Sequence, residues 1–355
     1  MIRSTPGEDL SVTNLSRVCG LLSLFFLLGF TLTLVGCQSE DESELSGAAD
    51  SAHYRIGITQ ITTHPGIEQV RRGFVEEMAA QGYREGENVT YERTNANGDF
   101  SQAQSIAKKF SSGDYDLIFS ISTPSTQALV DAMEGTDKPL VFGAVTDPVS
   151  AGIVDSLSSP PPNITGTTDI WPINKQFKFL KQLVPGVKRV GVIHNPSEAN
   201  SEASVELATK AAEKRNLELV KVPVTNSNDV PGAARSLVGR VDAIYIPASN
   251  TVISAISSVV AVAEENGIPL MPGDPSNVEI GGFGTIGHNY HSVGAESGRI
   301  AAKILEGTSP GQIPVQKSPQ QEYFFNVDSA QKMGVTIPDS LLSKAAEVYR
   351  RGGET

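Results

Sequence analysis

A chain of 355 residues is too long for one ordinary hydrophobic core and suits two domains. Its 39% apolar content with 33 Gly and 21 Pro fits a loop-rich globular α/β protein. A formal net charge of −12 argues against a nucleic-acid partner, which would need a basic face.

Residues 1–36 read as a leader. Arg3 and Arg17 precede the apolar run from Leu21 to Phe30, which has the length of a secretory core rather than of a membrane span. The run ends in Leu34-Val35-Gly36-Cys37, the pattern of a bacterial lipobox, so Cys37 is expected to become the lipidated first residue. The alternative, an uncleaved anchor helix, also leaves the bulk of the chain outside the cytoplasm. With Cys19 in the leader and Cys37 acylated, neither of the two cysteines remains for a disulfide or a thiolate nucleophile. Residues 37–52, rich in Ser, Gly, Glu and Asp, are too polar to bury and form a flexible tether.

From Tyr54 onward strands alternate with helices. A strand over 54–60 leads to a helix whose apolar positions Ile67, Val70, Phe74, Val75 and Met78 recur at helical spacing up to Gly82. Strands over 88–94, 116–122 and 139–145 follow, with helices carrying Ala103, Ile106, Ala107 and Phe110, and then Ala128, Leu129, Ala132 and Met133. This alternation means βαβ units on a parallel sheet. After Pro160-Pro161-Pro162 and Asn163-Ile-Thr-Gly166 the pattern restarts, with strands over 187–194, 217–224, 241–247 and 268–271, and the glycine-rich segment 281–287. A helix over 292–306, a strand around 323–327 and a terminal helix after Pro338 complete the chain. The expected fold is α/β: two Rossmann-like lobes with parallel sheets, a ligand cleft between their strand ends, and hinges near 163–167 and 281–287.

Polar loops after strands are the candidate recognition elements. Ser122-Thr-Pro-Ser125 enters a helix, so the Thr123 and Ser125 hydroxyls and the free N–H groups either hold a carboxylate or simply cap the helix. Thr146 and Asp147 follow the fourth strand, where Asp147-Pro148 is also a strong turn former. In the second half, Asn195, Glu198 and Asn200 lie in one such loop, Ser249 and Asn250 in another, and Asp274-Pro275-Ser276 in a third. Each admits a capping or turn role beside a ligand role, with Glu198 and Asp147 the candidate partners of an ammonium. Trp171, the single tryptophan, either lines the cleft or covers the second core. No phosphate loop, nucleophile elbow or zinc-helix motif occurs, and His288 and His291 lack an evident third ligand, so neither cofactor nor metal is expected.

Taken together, Ile56-Gly-Ile-Thr-Gln60, His64-Pro65, Gly82-Tyr83 with Gly86-Glu-Asn-Val89, Ser122-Thr-Pro-Ser125, Val145-Thr-Asp-Pro148, Asn163-Ile-Thr-Gly166, Asn195-Pro-Ser-Glu-Ala-Asn-Ser201 and Ser249-Asn250 resemble a family of bacterial ABC-transporter substrate-binding proteins. Its better-known members take up aromatic amino acids. The resemblance spans nearly all of the chain from Tyr54 and departs at Ser249, where an aspartate is expected. It implies a type I periplasmic-binding-protein-like fold, with lobe 1 formed by 53–165 plus about 290–312 and lobe 2 by 166–289 plus about 313–355. With the loops read above, it gives an expected ring of ligand residues made of Gln60, Thr123, Ser125, Thr146, Asp147, Asn195, Glu198, Asn200, Ser249 and Asn250, to which the loop after the 268–271 strand adds Asp274. A monomeric, non-enzymatic solute-binding lipoprotein serving a permease and its ATPase on the outer face of a membrane is the function implied. A ligand sensor for a signalling partner and a secreted hydrolase using Asp147 or Glu198 as a base are the alternatives.

Overall fold

The computed structural model describes residues 53–317 and 321–350. The leader, Cys37 and the whole of the tether lie outside these residues.

The first half builds β1 (Tyr54–Gln60), α1 (Pro65–Ala80), β2 (Val89–Asn95), α2 (Phe100–Ser112), β3 (Leu117–Ile121), α3 (Thr123–Ala132), β4 (Leu140–Val145) and β5 (Ile164–Thr168). β3 (Leu-Ile-Phe-Ser-Ile) and β4 (Leu-Val-Phe-Gly-Ala-Val) are buried at every position, because helices cover both faces of a parallel sheet and leave no solvent side. The second half builds α4 (Ile173–Leu183), β6 (Arg189–His194), α5 (Ala199–Glu213), β7 (Glu218–Pro223), α6 (Val230–Ser236), β8 (Ala243–Ile246), α7 (Asn250–Ile253), α8 (Ile256–Asn266), β9 (Leu270–Pro272) and β10 (Gly284–Gly287). The chain then runs through α9 (Tyr290–Leu305), β11 (Gln316–Lys317), β12 (Glu322–Asn326), α10 (Val327–Lys332), α11 (Asp339–Leu342) and β13 (Ala345–Tyr349).

Three sheets result. A six-stranded all-parallel sheet has the order β11-β5-β4-β3-β1-β2, and a four-stranded parallel sheet the order β7-β6-β8-β9. In the third, β10-β12-β13, β10 and β12 are antiparallel while β13 joins β12 in parallel. Two separate buried cores go with them. One gathers side chains from Ile56 to Ile164 and again from Tyr290 to Val315, the other from Trp171 to Ile286 and from Phe325 to Val335.

The helix α9 returns from the second half to lie on α1. A Cβ at Gly73 would collide with the His291 carbonyl, and one at Gly294 with the Val70 carbonyl. The two helices therefore touch backbone to backbone, which only glycine at both crossings allows.

The strand pairing runs a few residues past the expected lobe boundaries at 165 and about 312. β5 pairs with β4 through to Thr168, Thr165 Oγ1 donates to Ile313 O at 2.7 Å, and Ile313 and Val315 belong to the first core. β11 then pairs with β5. Cutting at 165 and 312 would split a continuous ladder, so the first lobe keeps residues through Thr168 and again through Lys317. The helix expected after Pro338 is short among the described residues. Only Asp339–Leu342 is helical, and the last described element is the strand β13, whose Val348 and Tyr349 are half-buried beside β12.

Candidate functional site

A partly open cavity with about 340 Å³ of empty space lies where the carboxyl ends of β3 and β4 on the first lobe face the starts of α5 and α7 on the second. It is lined by His64, Ile67, Ser122, Thr123, Ala144 and Thr146 from the first lobe. Asp169 and Trp171 come from the crossing, Asn200, Ala248, Asn250, Ile253 and Asp274 from the second lobe, and Tyr290 from the returning helix.

On the first lobe, β3 turns into α3 through Ser122, which holds a left-handed φ of 81°. Ala144, also on the cavity wall, has φ 54°. Non-glycine residues rarely adopt such values, and their presence on one small cavity marks backbone strain held at a site by the surrounding packing. The cap chemistry expected here is missing. Ser122 makes no side-chain cap bond to α3, and Ser122 Oγ, Thr123 Oγ1 and Ser125 Oγ are all buried without a partner. A second layer fixes the turn: Thr126 Oγ1 donates to Ser122 O at 2.8 Å and lies 2.6 Å from Ser120 Oγ. Three unpaired hydroxyls at the positive end of a helix are donors for an anion. Ser125 itself does not reach the cavity wall, whereas Thr123 and Thr146 do. Asp147 turns away and accepts the Ser150 N–H at 3.1 Å, so it is the turn former and not a cavity acid.

At the crossing, Tyr290 donates its hydroxyl to Asp169 Oδ2 at 2.7 Å and receives the Trp171 indole N–H at 2.8 Å. This relay holds Asp169 with its other oxygen, Oδ1, buried and without an aligned partner. Burial raises the Asp169 pKa, with the Tyr290 hydroxyl opposing the shift. Trp171 has both of the roles open to it. It lines the cavity and belongs to the second core, its ring lying so close over Gly273 that a Cβ there would collide.

On the second lobe the Glu198 carboxylate is already committed within the chain. Its carboxylate accepts four hydrogen bonds, from Ser249 Oγ, Asn250 N and Thr251 N at 2.9 Å and from Thr251 Oγ1 at 2.7 Å. Those donors saturate it, so it closes the start of α7 instead of offering an acceptor to a ligand. Burial pushes its pKa up, and the four donors oppose this. Ser249 is the helix cap and donor in this knot, accepting from Val252 N at 3.5 Å, and it does not line the cavity. Asn195 is tied to Thr251 Oγ1 at 2.9 Å and to Ser197 N at 2.9 Å, likewise away from the cavity. Gln60 donates to Thr62 O at 2.9 Å and Glu68 Oε1 at 2.8 Å and is equally remote.

Asn200, Asn250 and Asp274 do reach the cavity. Asn200 Nδ2 donates to Ala248 O, leaving Oδ1 buried and bare. Asp274 Oδ1 accepts from Ser276 N at 2.8 Å and Ser276 Oγ at 2.7 Å, and its Oδ2 is bare. Burial, helped by the charge of Asp169, pushes Asp274 up to about 7. Asn250 Oδ1 lies 3.3 Å from His64 Nε2 across the lobes. Because His64 Nδ1 accepts the Ile67 N–H as the cap of α1, the proton sits on Nε2, which donates to Asn250. Burial lowers the His64 pKa to about 4.

A larger open groove adjoins at Asn250, with Ile61, Phe100 and Pro124 on one side and Asn195, Glu198 and Thr251 on the other. His288 and His291 meet neither cavity nor groove; the first reaches Ile170 O at 3.2 Å and the second Glu76 at 2.7 Å. Among the described residues no group of three or more His, Cys, Asp or Glu could hold a metal ion. Sequence reasoning named neither Asp169 nor Tyr290 as a site residue, nor His64 and Ser122. Asp169 had one legible signal, a carboxylate directly after a buried strand.

Residues 55–349 match the profile of the ABC transporter substrate binding proteins. The chain belongs to this family. It is 38% identical over 315 residues to the tyrosine-binding protein of Clostridioides difficile (strain R20291), covering 87% of this chain and 90% of that protein. Among solved structures, a conserved domain protein of Vibrio cholerae matches with 34% identity and TM-score 0.81 over 84% of this chain and all of that one. A Streptococcus pneumoniae domain in complex with L-Trp matches with 31% identity and TM-score 0.80 over the same shares. The ligand-free, open structure of a Clostridium difficile substrate-binding protein with adhesive properties is 37% identical over 83% of this chain and 99% of its own, yet its TM-score is 0.63. Higher identity with poorer overlap is what a different opening of similar lobes produces. The substrate-binding protein described here has its lobes together, as the His64–Asn250 contact requires.

Proposed function

We propose that this substrate-binding protein holds an aromatic L-amino acid between its lobes and delivers it to the permease and ATPase of an importer. The observation that carries this reading is the set of bare polar atoms on one cavity. Ser122 Oγ and Thr123 Oγ1, beside the start of α3, suit a carboxylate; Asp169 Oδ1, Asp274 Oδ2 and Asn200 Oδ1 suit an ammonium. Buried polar atoms without partners are rare in proteins, so two chemically opposite sets on one cavity fit a zwitterion that completes them. Trp171, Tyr290, Ile67 and Ile253 supply apolar and aromatic walls for a side chain. The tyrosine-binding relative and the L-Trp complex support the same class.

Attachment outside the cytoplasm through a lipid on Cys37 completes the proposal. It rests on the leader and lipobox pattern, and no helix among the described residues is long and apolar enough to cross a membrane. Mass spectrometry of the ligand released on unfolding tests the site: an aromatic amino acid is expected, and a polyol or any compound lacking both carboxylate and amine would overturn the reading. Cys37→Ser should leave the precursor unprocessed or the protein unanchored.

A further inference from the structure

The cavity contains two carboxylates, Asp169 and Asp274, and no lysine or arginine among its lining residues. His64 cannot compensate, since Nδ1 is occupied by the Ile67 N–H and Nε2 by Asn250, and His288, off the cavity wall, acts on Asp169 but not on Asp274. Asp274 stands on the second lobe, but its bare Oδ2 rests on the first. A Cβ on Gly66, in the first turn of α1, would lie 2.8 Å from Asp274 Oδ2 and 3.2 Å from Ser276 Oγ. Apart from His64 Cε1 at 3.4 Å, the nearest neighbours of that position belong to the opposite lobe, so it is closure that seats the carboxylate there. The start of α1 favours a negative charge, yet two acids sharing a dry cavity repel, and each loses its hydration.

We propose that a primary ammonium on the ligand is what closes the cleft, by standing between Asp169 and Asp274 and so removing the charge penalty of seating Asp274 on Gly66. Its three N–H donors match three acceptors that lack an aligned partner, Asp169 Oδ1, Asp274 Oδ2 and Asn200 Oδ1, with the Thr146 hydroxyl beside Asp169 and the Asn277 amide beside Asp274 as the chain's own weaker donors. The ligand carboxylate, held at the start of α3 on the first lobe, docks without that requirement. Docking and closing are thus assigned to opposite ends of one molecule. This rests on the amino-acid reading only for the identity of the cation; the resistance of the two acids to closure belongs to the chain alone.

Trp171, the single tryptophan and nearly buried at the cavity, reports closure through its emission in the full-length, detergent-solubilised protein. With excitation selective for tryptophan, L-tyrosine should shift the wild-type emission to the blue. The desamino analogue 3-(4-hydroxyphenyl)propionate should bind about one to two decades more weakly and produce no shift. Asp274→Asn keeps an oxygen for Ser276 and removes the charge, so it should show the blue-shifted emission with no ligand at all. Gly66→Ala should melt like the wild type when unliganded but resist the shift with L-tyrosine. Unliganded Asp274→Asn with the wild-type spectrum would overturn the proposal, as would a full shift with the desamino analogue. A shift in unliganded Asp274→Asn together with no response of the wild type to L-tyrosine would sustain the closure mechanism and reject tyrosine as the ligand.

Discussion

The loop from Ser122 to Ser125 and the loop from Asn195 to Asn200 are counterparts: each follows a central strand of its lobe, and each leads into a helix. Their polar atoms meet opposite fates. The first leaves three hydroxyls buried and unpaired, on a residue held at positive φ and its neighbours. The second is tied to the segment that starts α7, Glu198 taking four donors from Ser249, Asn250 and Thr251 and Asn195 two partners, and only Asn200 Oδ1 is left bare. Chemistry of side chains does not separate the two loops, since both are built of good capping residues. What separates them is whether the protein's own backbone has already claimed those side chains. A recognition residue is one left wanting by its own fold, and its removal should affect binding before stability; a committed residue should behave the other way.

The largest effect expected on that contrast comes from protons. Asp274 is bare and buried when the lobes are together, with its pKa raised from the ordinary carboxylate value to about 7. Raised in the closed form, it favours closure fully below its ordinary pKa near 4 and loses that contribution as pH climbs through 7. Around it, burial keeps Tyr290 and Tyr349 neutral, and His64, held down to about 4, is neutral as well, so Asp169 is the charge it feels. Unliganded wild-type protein titrated from pH 8 to pH 5 should move its Trp171 emission toward the closed value, and Asp274→Asn should not respond over that range.

Next in size is Asp169→Asn, which removes the charge that the Tyr290 relay aims at the ligand. Loss of a charge-assisted bond in a dry site costs about 1.5–3 kcal/mol, so calorimetric affinity should fall by about one to two decades with little change in unliganded melting. Glu198→Gln inverts the pattern. Its amide nitrogen would face donors that now point at a carboxylate oxygen, and unfolding free energy should drop by about 1–3 kcal/mol while the folded fraction binds ligand normally. Normal melting with lost binding would return Glu198 to the recognition set. Thr123→Val should weaken binding by about 0.5–1.5 kcal/mol and leave the unliganded protein as stable as before or slightly more so, because a buried hydroxyl without a partner is removed. Asp147→Asn should stay within about 0.5 kcal/mol in both measurements.

Much of the architecture was legible because it rests on periodicity. The buried runs of β3 and β4, the helical spacing of Ile67, Val70 and Phe74, and the restart after Asn163 are local patterns that a parallel α/β fold imposes. The lobe boundaries were less legible, since Thr165 and Thr167 of β5 find their partners in Ile313 and Ser297, far along the chain. The site was legible as a set of loops but not residue by residue. Asp169 is held at the cavity by the hydroxyl of Tyr290, which lies on another segment, and Glu198 is silenced by Thr251, on another again. Those facts are tertiary, and no local pattern carries them.

The backbone contact of α9 with α1 at Gly73 and Gly294 sets an order on assembly. The four strands β6 to β9 of the second sheet arise from one uninterrupted stretch, residues 189–272, and can pair as soon as that stretch is available. The first sheet is made earlier along the chain apart from β11, yet the face on which α1 lies is completed only when α9, which follows the second lobe's sheet in the chain, packs against α1, β4 and β5. During synthesis or export the older half must therefore wait with apolar surface exposed while the whole second lobe is made, whereas the core of the younger half lacks only the segment from Phe325 to Val335. A helper that shields nascent chains would be needed most for residues 54–168, and crowding either glycine at the α1–α9 crossing should slow completion of the first lobe more than it disturbs the second.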